Sequence, residues 1–126
     1  SDLLTPSHTF SGGVQADQAD LTGASLPRAD FTRAKLREMN VRSIYRAAGV
    51  RFDGADLTGT TITDSAFPGS SFVGAILTNV RGEDLKLPWA NFSGAAFEGS
   101  AWPDSNMTGA HLAGARLIGV DMERLQ

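Results

Sequence analysis

From Ala19 to the C-terminus a large residue recurs at every fifth position. The series begins Leu21, Leu26, Phe31, Leu36 and Val41. After a short break it resumes at Phe52 and continues through Leu57, Ile62, Phe67, Phe72, Leu77, Gly82, Leu87, Phe92, Phe97, Trp102, Met107, Leu112, Leu117 and Met122. Gly82 is its one interruption. Two residues ahead of each such centre sits a small or compact residue, as at Ala19, Ala55, Ser65 and Ala95. The other three positions of each block are mostly Asp, Asn, Thr, Ser, Arg and Gly. Small-in, polar-out, large-in is the alternation of a half-buried extended segment. The Gly, Asp, Asn and Pro that follow supply a turn. A period of five suits neither a straight helix nor a flat strand. It predicts a chain that turns a corner every five residues.

Several blocks are nearly identical: ADLTG at 19–23 and 55–59, ADFTR at 29–33 and ANFSG at 90–94. The pattern resembles the pentapeptide-repeat family, whose motif is A(D/N)LXX, and the resemblance runs from Ala19 to the end. It implies an all-β fold, a right-handed quadrilateral β-helix (solenoid) of about five coils with four pentapeptides per coil. Blocks twenty residues apart would then stack at roughly one strand spacing, ~4.8 Å. Some members of the family resemble duplex DNA in shape and charge, bind DNA gyrase and protect it from inhibitors. That is the alternative function the resemblance implies.

Folding the sequence on a twenty-residue period places Phe52, Phe72, Phe92 and Leu112 on one face. Val41 and Phe52 are eleven residues apart, not ten. A one-residue bulge within 43–49 restores the alignment and brings Phe31 onto the same column. A second face stacks Ile62, Gly82, Trp102 and Met122, where the oversized indole would fill the void left by glycine. The expected core therefore includes Phe31, Phe52, Phe72, Phe92, Leu112, Gly82 and Trp102. Residues 1–18 read as an N-terminal arm or cap and 19–126 as the repeat domain. Phe10 is a candidate plug for the open end, and Val14-Gln15-Ala16 a degenerate extra block. At the other end Leu117, Met122 and Leu125 leave an apolar coil with exposed strand edges: either Glu123–Gln126 folds over it, or it stacks on a second copy as a homodimer through the C-terminal coil.

Composition adds mainly exclusions. Eleven basic against fourteen acidic side chains give net −3, too mild to argue for direct nucleic-acid binding. There is no cysteine, so disulfides and thiolate metal sites are excluded. No apolar run approaches the roughly 18 residues of a membrane span. No cofactor motif stands out: the two histidines lack metal-ligand spacing, and the GxG-like fragments are turn glycines. Asp104, Ser105 and His111 form a triad only on paper, because Ser105 is an inward position and His111 an outward one. Asn91-Phe92-Ser93 and Asn106-Met107-Thr108 match the glycosylation sequon where the repeat already favours both residue types. The sequence therefore predicts no catalytic residues and no enzyme.

Two outward features remain. A basic cluster, Arg28, Arg33, Lys35, Arg37, Arg42, Arg46 and Arg51, precedes an acidic remainder and could dock an acidic partner. Ile76, Ala96, Ile118, Val73 and Trp89 occupy outward positions and form a candidate protein-contact patch. The function expected is a non-enzymatic protein-interaction scaffold with an unidentified protein partner. It would be bacterial and cytoplasmic, or a module of a larger protein or secreted effector.

Overall fold

The computed structural model describes residues 15–126. Phe10, and the arm before residue 15, lie outside the described residues. The chain winds as a quadrilateral β-helix. Three segments are extended strands, β1 (Asn40–Arg42), β2 (Thr61–Ala66) and β3 (Arg81–Lys86), paired in parallel in that order. Their register sets Asn40 on Thr61, Ile62 on Gly82 and Ser65 on Leu85. Single parallel bridges continue the ladder on all sides, from Gln15–Lys35 to Ala101–Asp121. Gln15 bridges Lys35 and Ala16 is buried, so the winding extends ahead of the boundary expected at Ala19.

Four faces follow, defined by their inward centres. The first stacks Leu21, Val41, Ile62, Gly82, Trp102 and Met122, and the second Leu26, Ala47, Phe67, Leu87 and Met107. The third carries Phe31, Phe52, Phe72, Phe92 and Leu112, and the fourth Ala16, Leu36, Leu57, Leu77, Phe97 and Leu117. Bridged residues are twenty apart in Asp20–Asn40 and Arg51–Ser71, but twenty-one apart in Ser25–Arg46, Asp30–Arg51 and Lys35–Asp56. The extra residue sits between buried Ile44 and buried Ala47, where Tyr45 and Arg46 both point outward. An insertion that adds to the outside leaves the inward columns aligned.

The third column is a stack of rings. Centroids lie 5.2 Å apart for Phe31–Phe52, 4.9 Å for Phe52–Phe72 and 4.8 Å for Phe72–Phe92, with planes within 16° of parallel. Those distances follow the coil spacing, so the backbone ladder dictates the ring geometry. Each buried Phe contributes about 1.5–3 kcal/mol by leaving water, and each ring pair about 0.5–1.5 kcal/mol more. Leu112 departs from the expected core: it is 39% exposed, because no described coil covers the column beyond it.

Polar groups placed inside are mostly bonded to the backbone. Thr60 Oγ1 accepts from Met39 N at 3.1 Å and donates to Leu36 O at 2.6 Å. Ser65 Oγ accepts from Ile44 N at 3.0 Å, and Ser105 Oγ from Leu85 N at 3.1 Å. Each hydroxyl satisfies an amide that would otherwise be buried unpaired.

Trp102, 1% exposed, is the largest buried side chain. Its Nε1 donates to Ser100 Oγ at 2.9 Å, and that hydroxyl donates to Phe97 O at 2.6 Å. Its ring meets Phe97 edge-on at 5.6 Å. A Cβ built on Gly82 would overlap Trp102 Cε3 and lie 2.7 Å from Cζ3. The indole thus uses the space that Gly82 leaves vacant. Gly82→Leu should destabilise by about 1–3 kcal/mol through overpacking while Trp102 is present. In a Trp102→Leu background the same change should cost less, with a coupling of about 0.5–3 kcal/mol in denaturant melts. Strictly additive losses would refute the pairing.

Candidate functional site

Outward chemistry begins with the turn. At several blocks an Asp or Asn just before the centre accepts from the residue two further along the chain. Asp30 Oδ1 accepts from Thr32 N at 3.0 Å and from Thr32 Oγ1 at 2.5 Å. Asp20 with Thr22, Asp56 with Thr58, Asn91 with Ser93 and Asn106 with Thr108 repeat the arrangement. This is an Asx-turn, and it explains why Asp and Asn share that slot. The sequon asparagines are therefore already engaged in turns. The following corner residue adopts positive φ whether it is glycine or not, for example Arg33 (59°), Asp84 (53°) and Trp89 (63°).

The paper triad does not assemble. Ser105 is buried with its hydroxyl on Gly82 O at 3.2 Å. Asp104 stands at the corner between the first and second faces, bonded by Arg124 Nε at 2.5 Å. His111 is outward on the third face, bridged to Asn91. Among the described residues no group of three or more His, Asp or Glu side chains could hold a metal ion. Among the described residues there is no helix long and apolar enough to cross a membrane.

The basic cluster is contiguous in sequence but not in space. Arg42 lies on the first face, Arg28 and Arg46 on the second, Arg33 and Arg51 on the third, Lys35 and Arg37 on the fourth. It is a band around the early coils, and two members are paired: Arg37 with Asp17 at 2.6 Å, Arg51 with Asp53 at 3.7 Å.

Sorting by face, with each corner assigned to the face it follows, gives a different charge map. The first face carries Asp20, Asp64, Glu83, Asp84, Asp104, Asp121 and Glu123 against Arg42, Arg81 and Arg124, a balance of −4. The second face carries Arg28, Arg46 and Lys86 and no acid, a balance of +3. The third balances at zero: Asp30 and Asp53 against Arg33 and Arg51. The fourth is −1: Asp17, Glu38, Asp56 and Glu98 against Lys35, Arg37 and Arg116. Counting along the chain by halves hides this alternation. Counting on the twenty-residue period reveals it.

The apolar patch divides too. Ile76 (40% exposed) and Ala96 are bridged neighbours on the fourth face, and Ile118 (72%) lies beyond Leu117 on the same face. Val73 (40%) approaches them from the third face across the corner at Gly74. Trp89 (67%) is on a different edge, between the second and third faces. At the C-terminal end Leu112, Leu117 and Met122 rim a hollow of about 220 Å³, with Phe97 and Trp102 also lining it.

The chain belongs to the pentapeptide-repeat family: eight copies of the repeat match residues 13–42, 47–81 and 90–124. Two solved structures of similar fold are HetL and a plant protein. HetL is a pentapeptide repeat protein involved in heterocyst differentiation regulation in the cyanobacterium Nostoc. It is 24% identical, with TM-score 0.55 over 90% of this chain and 55% of HetL. The other is a pentapeptide repeat protein of the Arabidopsis thaliana thylakoid lumen, 19% identical, with TM-score 0.54 over 91% of this chain and 69% of its own. This chain thus spans little more than half the length of HetL. A trypsin-treated form of QnrB1, a plasmid-mediated fluoroquinolone resistance protein, overlays at TM-score 0.38 with 21% identity, over 89% of this chain and 64% of its own. No curated protein sequence matches the chain.

The turn hooks make a pH prediction. The Thr hydroxyl and amide that Asp20 and Asp30 accept hold their carboxyls below the usual value of 3.8. Arg37 does the same for Asp17, and Arg124 for Asp104. A carboxyl depressed in the folded state contributes stability above its unfolded pKa and loses it as pH falls through the folded one. The melting temperature should therefore stay level near neutral pH and decline below about pH 4. Asp30→Asn keeps the hook and should flatten that decline, whereas Asp30→Ala should lower the melting temperature throughout, in circular-dichroism melts across the range.

Proposed function

We propose that the chain is a non-enzymatic scaffold that presents flat faces to other proteins. The carrying observation is the exposure of Ile76 and Ile118 on the fourth face, at positions where neighbouring blocks hold Asp56, Thr78 or Glu98. Apolar side chains clustered on a flat β-surface lower the cost of desolvating an interface core. Inward positions are committed to axial packing, so the outward columns are where recognition is written. A duplex-mimicking, gyrase-binding rod is the poorer reading, because the second face carries only positive charge. Affinity capture with the wild-type chain and with Ile76→Asp/Ile118→Asp tests the scaffold. Partners should be lost from the variant, and an unchanged set would remove the fourth face from the function.

The C-terminal rim supports a second element, self-association end to end. Leu112, Leu117 and Met122 are each 39% exposed around one hollow. A second copy stacked on that end would bury them and cap the open strand edges. Sedimentation velocity should show a dimer that Leu117→Glu/Met122→Glu converts to monomer without loss of the β-signature. A wild-type monomer at about 100 μM, weaker than most specific dimers, would overturn it.

A further inference from the structure

We propose that the second face binds a short, extended, acidic segment of a protein partner, with Trp89 as the anchor at its edge. This is independent of the apolar contact on the fourth face. Three observations carry it.

The first is uncompensated charge. Arg28, Arg46 and Lys86 project from this face, and among the described residues none has an acid within 4.0 Å. Arg33, Lys35 and Arg42 are unpaired too, but their faces carry acids, among them Asp30, Asp56 and Asp20, whereas the second face carries none. The second is the floor between them. Ala48, Ala66, Pro68 and Pro88 face outward there, so no long side chain obstructs a strand laid along the axis. The third is the seat of Trp89. A Cβ on Gly109 would overlap the indole Cε3 and Cζ3 and lie 2.9 Å from Cδ2, so the ring lies flat over the glycine backbone of the next coil. One ring face remains open, and the side chain is 67% exposed. An aromatic already held in place loses little freedom when a partner covers it.

Spacing sets the ligand's size. Arg46 and Lys86 share the column just before the centres, two coil steps or ~10 Å apart, whereas Arg28 stands one coil ahead of Arg46 in the corner column that also holds Trp89. Along the axis the three span three coil steps, ~14 Å, which an extended chain rising ~3.3 Å per residue covers in about four or five residues. Acids at the far edge shape the specificity. Asp104 is paired with Arg124 at 2.5 Å, which leaves Asp84 and Asp64 to repel an anionic ligand, since the Tyr45 hydroxyl that donates to Asp64 at 2.5 Å is neutral. A short peptide confined to the face avoids the neighbouring first face and its balance of −4, which a nucleic-acid strand wider than the face would meet.

The test is fluorescence anisotropy with a labelled ten-residue peptide, glutamates around one central leucine. It should bind the full chain, more weakly as salt rises. Arg46→Glu/Lys86→Glu should weaken binding about tenfold or more, and Trp89→Ala several-fold. Arg33→Glu/Lys35→Glu, with the same change in net charge on other faces, should shift it less than about twofold, and Asp84→Asn should strengthen it. Circular dichroism and melting confirm that each variant folds. Absence of binding at about 1 mM peptide, or equal losses from the two double variants, would overturn the proposal. So would a ten-nucleotide oligothymidine that binds more tightly through Arg46 and Lys86. Ile76→Asp/Ile118→Asp should leave peptide binding unchanged, which separates this result from the fate of the fourth-face contact.

Discussion

The backbone ladder fixes the distance between coils, and every inward side chain must fit the cross-section that this ladder leaves. Phenylalanines 21, 20 and 20 residues apart consequently stack at 5.2, 4.9 and 4.8 Å, close to the spacing of hydrogen-bonded strands. A column cannot relieve a misfit by shifting one element, because each element is bonded above and below. Adjustment must come from the side chains themselves. Gly82 beneath the indole of Trp102 is such an adjustment, with volume lent from one coil to the next. Thr60, Ser65 and Ser105 adjust in another way, replacing inward carbon with a hydroxyl that satisfies a buried amide.

That constraint explains what could be read from the chain alone. A five-residue period with small and large residues two apart leaves one way to bury both, and a twenty-residue period with one bulged residue aligns Phe31 with Phe92 from the sequence alone. The extra residue near Tyr45 was detectable because arithmetic on the centres is unforgiving: Val41 to Phe52 is one too many. Its place was not, since Ile44 and Ala47 could each have been inward or outward. Only their burial puts the surplus at the outward pair Tyr45 and Arg46. Leu112 fits the pattern of the Phe column yet is partly open, because no described coil covers it on the C-terminal side.

Outward residues were less legible because they obey no packing rule. Basic residues between Arg28 and Arg51 form a group in the sequence, but successive ones fall on different sides of the square. Charge on a solenoid is organised along columns, at steps of twenty, and the same arithmetic that found the core would have separated the −4 face from the +3 face. Trp89 and Ile76 were grouped for their exposure, which the structure gives them, yet they sit on different edges. Exposure is a property of one residue, whereas a surface needs neighbours.

This division between inside and outside has a functional consequence. Substitutions at inward positions alter volume in a closed column and are felt by the coils above and below. Outward positions tolerate almost any side chain, provided the turn hook and the left-handed corner are kept. Recognition can therefore be changed one column at a time without disturbing the fold, and two adjacent faces can hold opposite charge on one rigid body. A glycine at a corner extends that freedom, because it gives a bulky residue of the preceding coil a surface to lie on. Gly109 does this for Trp89, and Gly54 for the stem of Arg33, whose Cγ is 3.3 Å from where a Cβ would stand. Corner glycines thus both permit the turn and hold exposed side chains in fixed poses, which is what a rigid scaffold needs in order to bind with little loss of entropy.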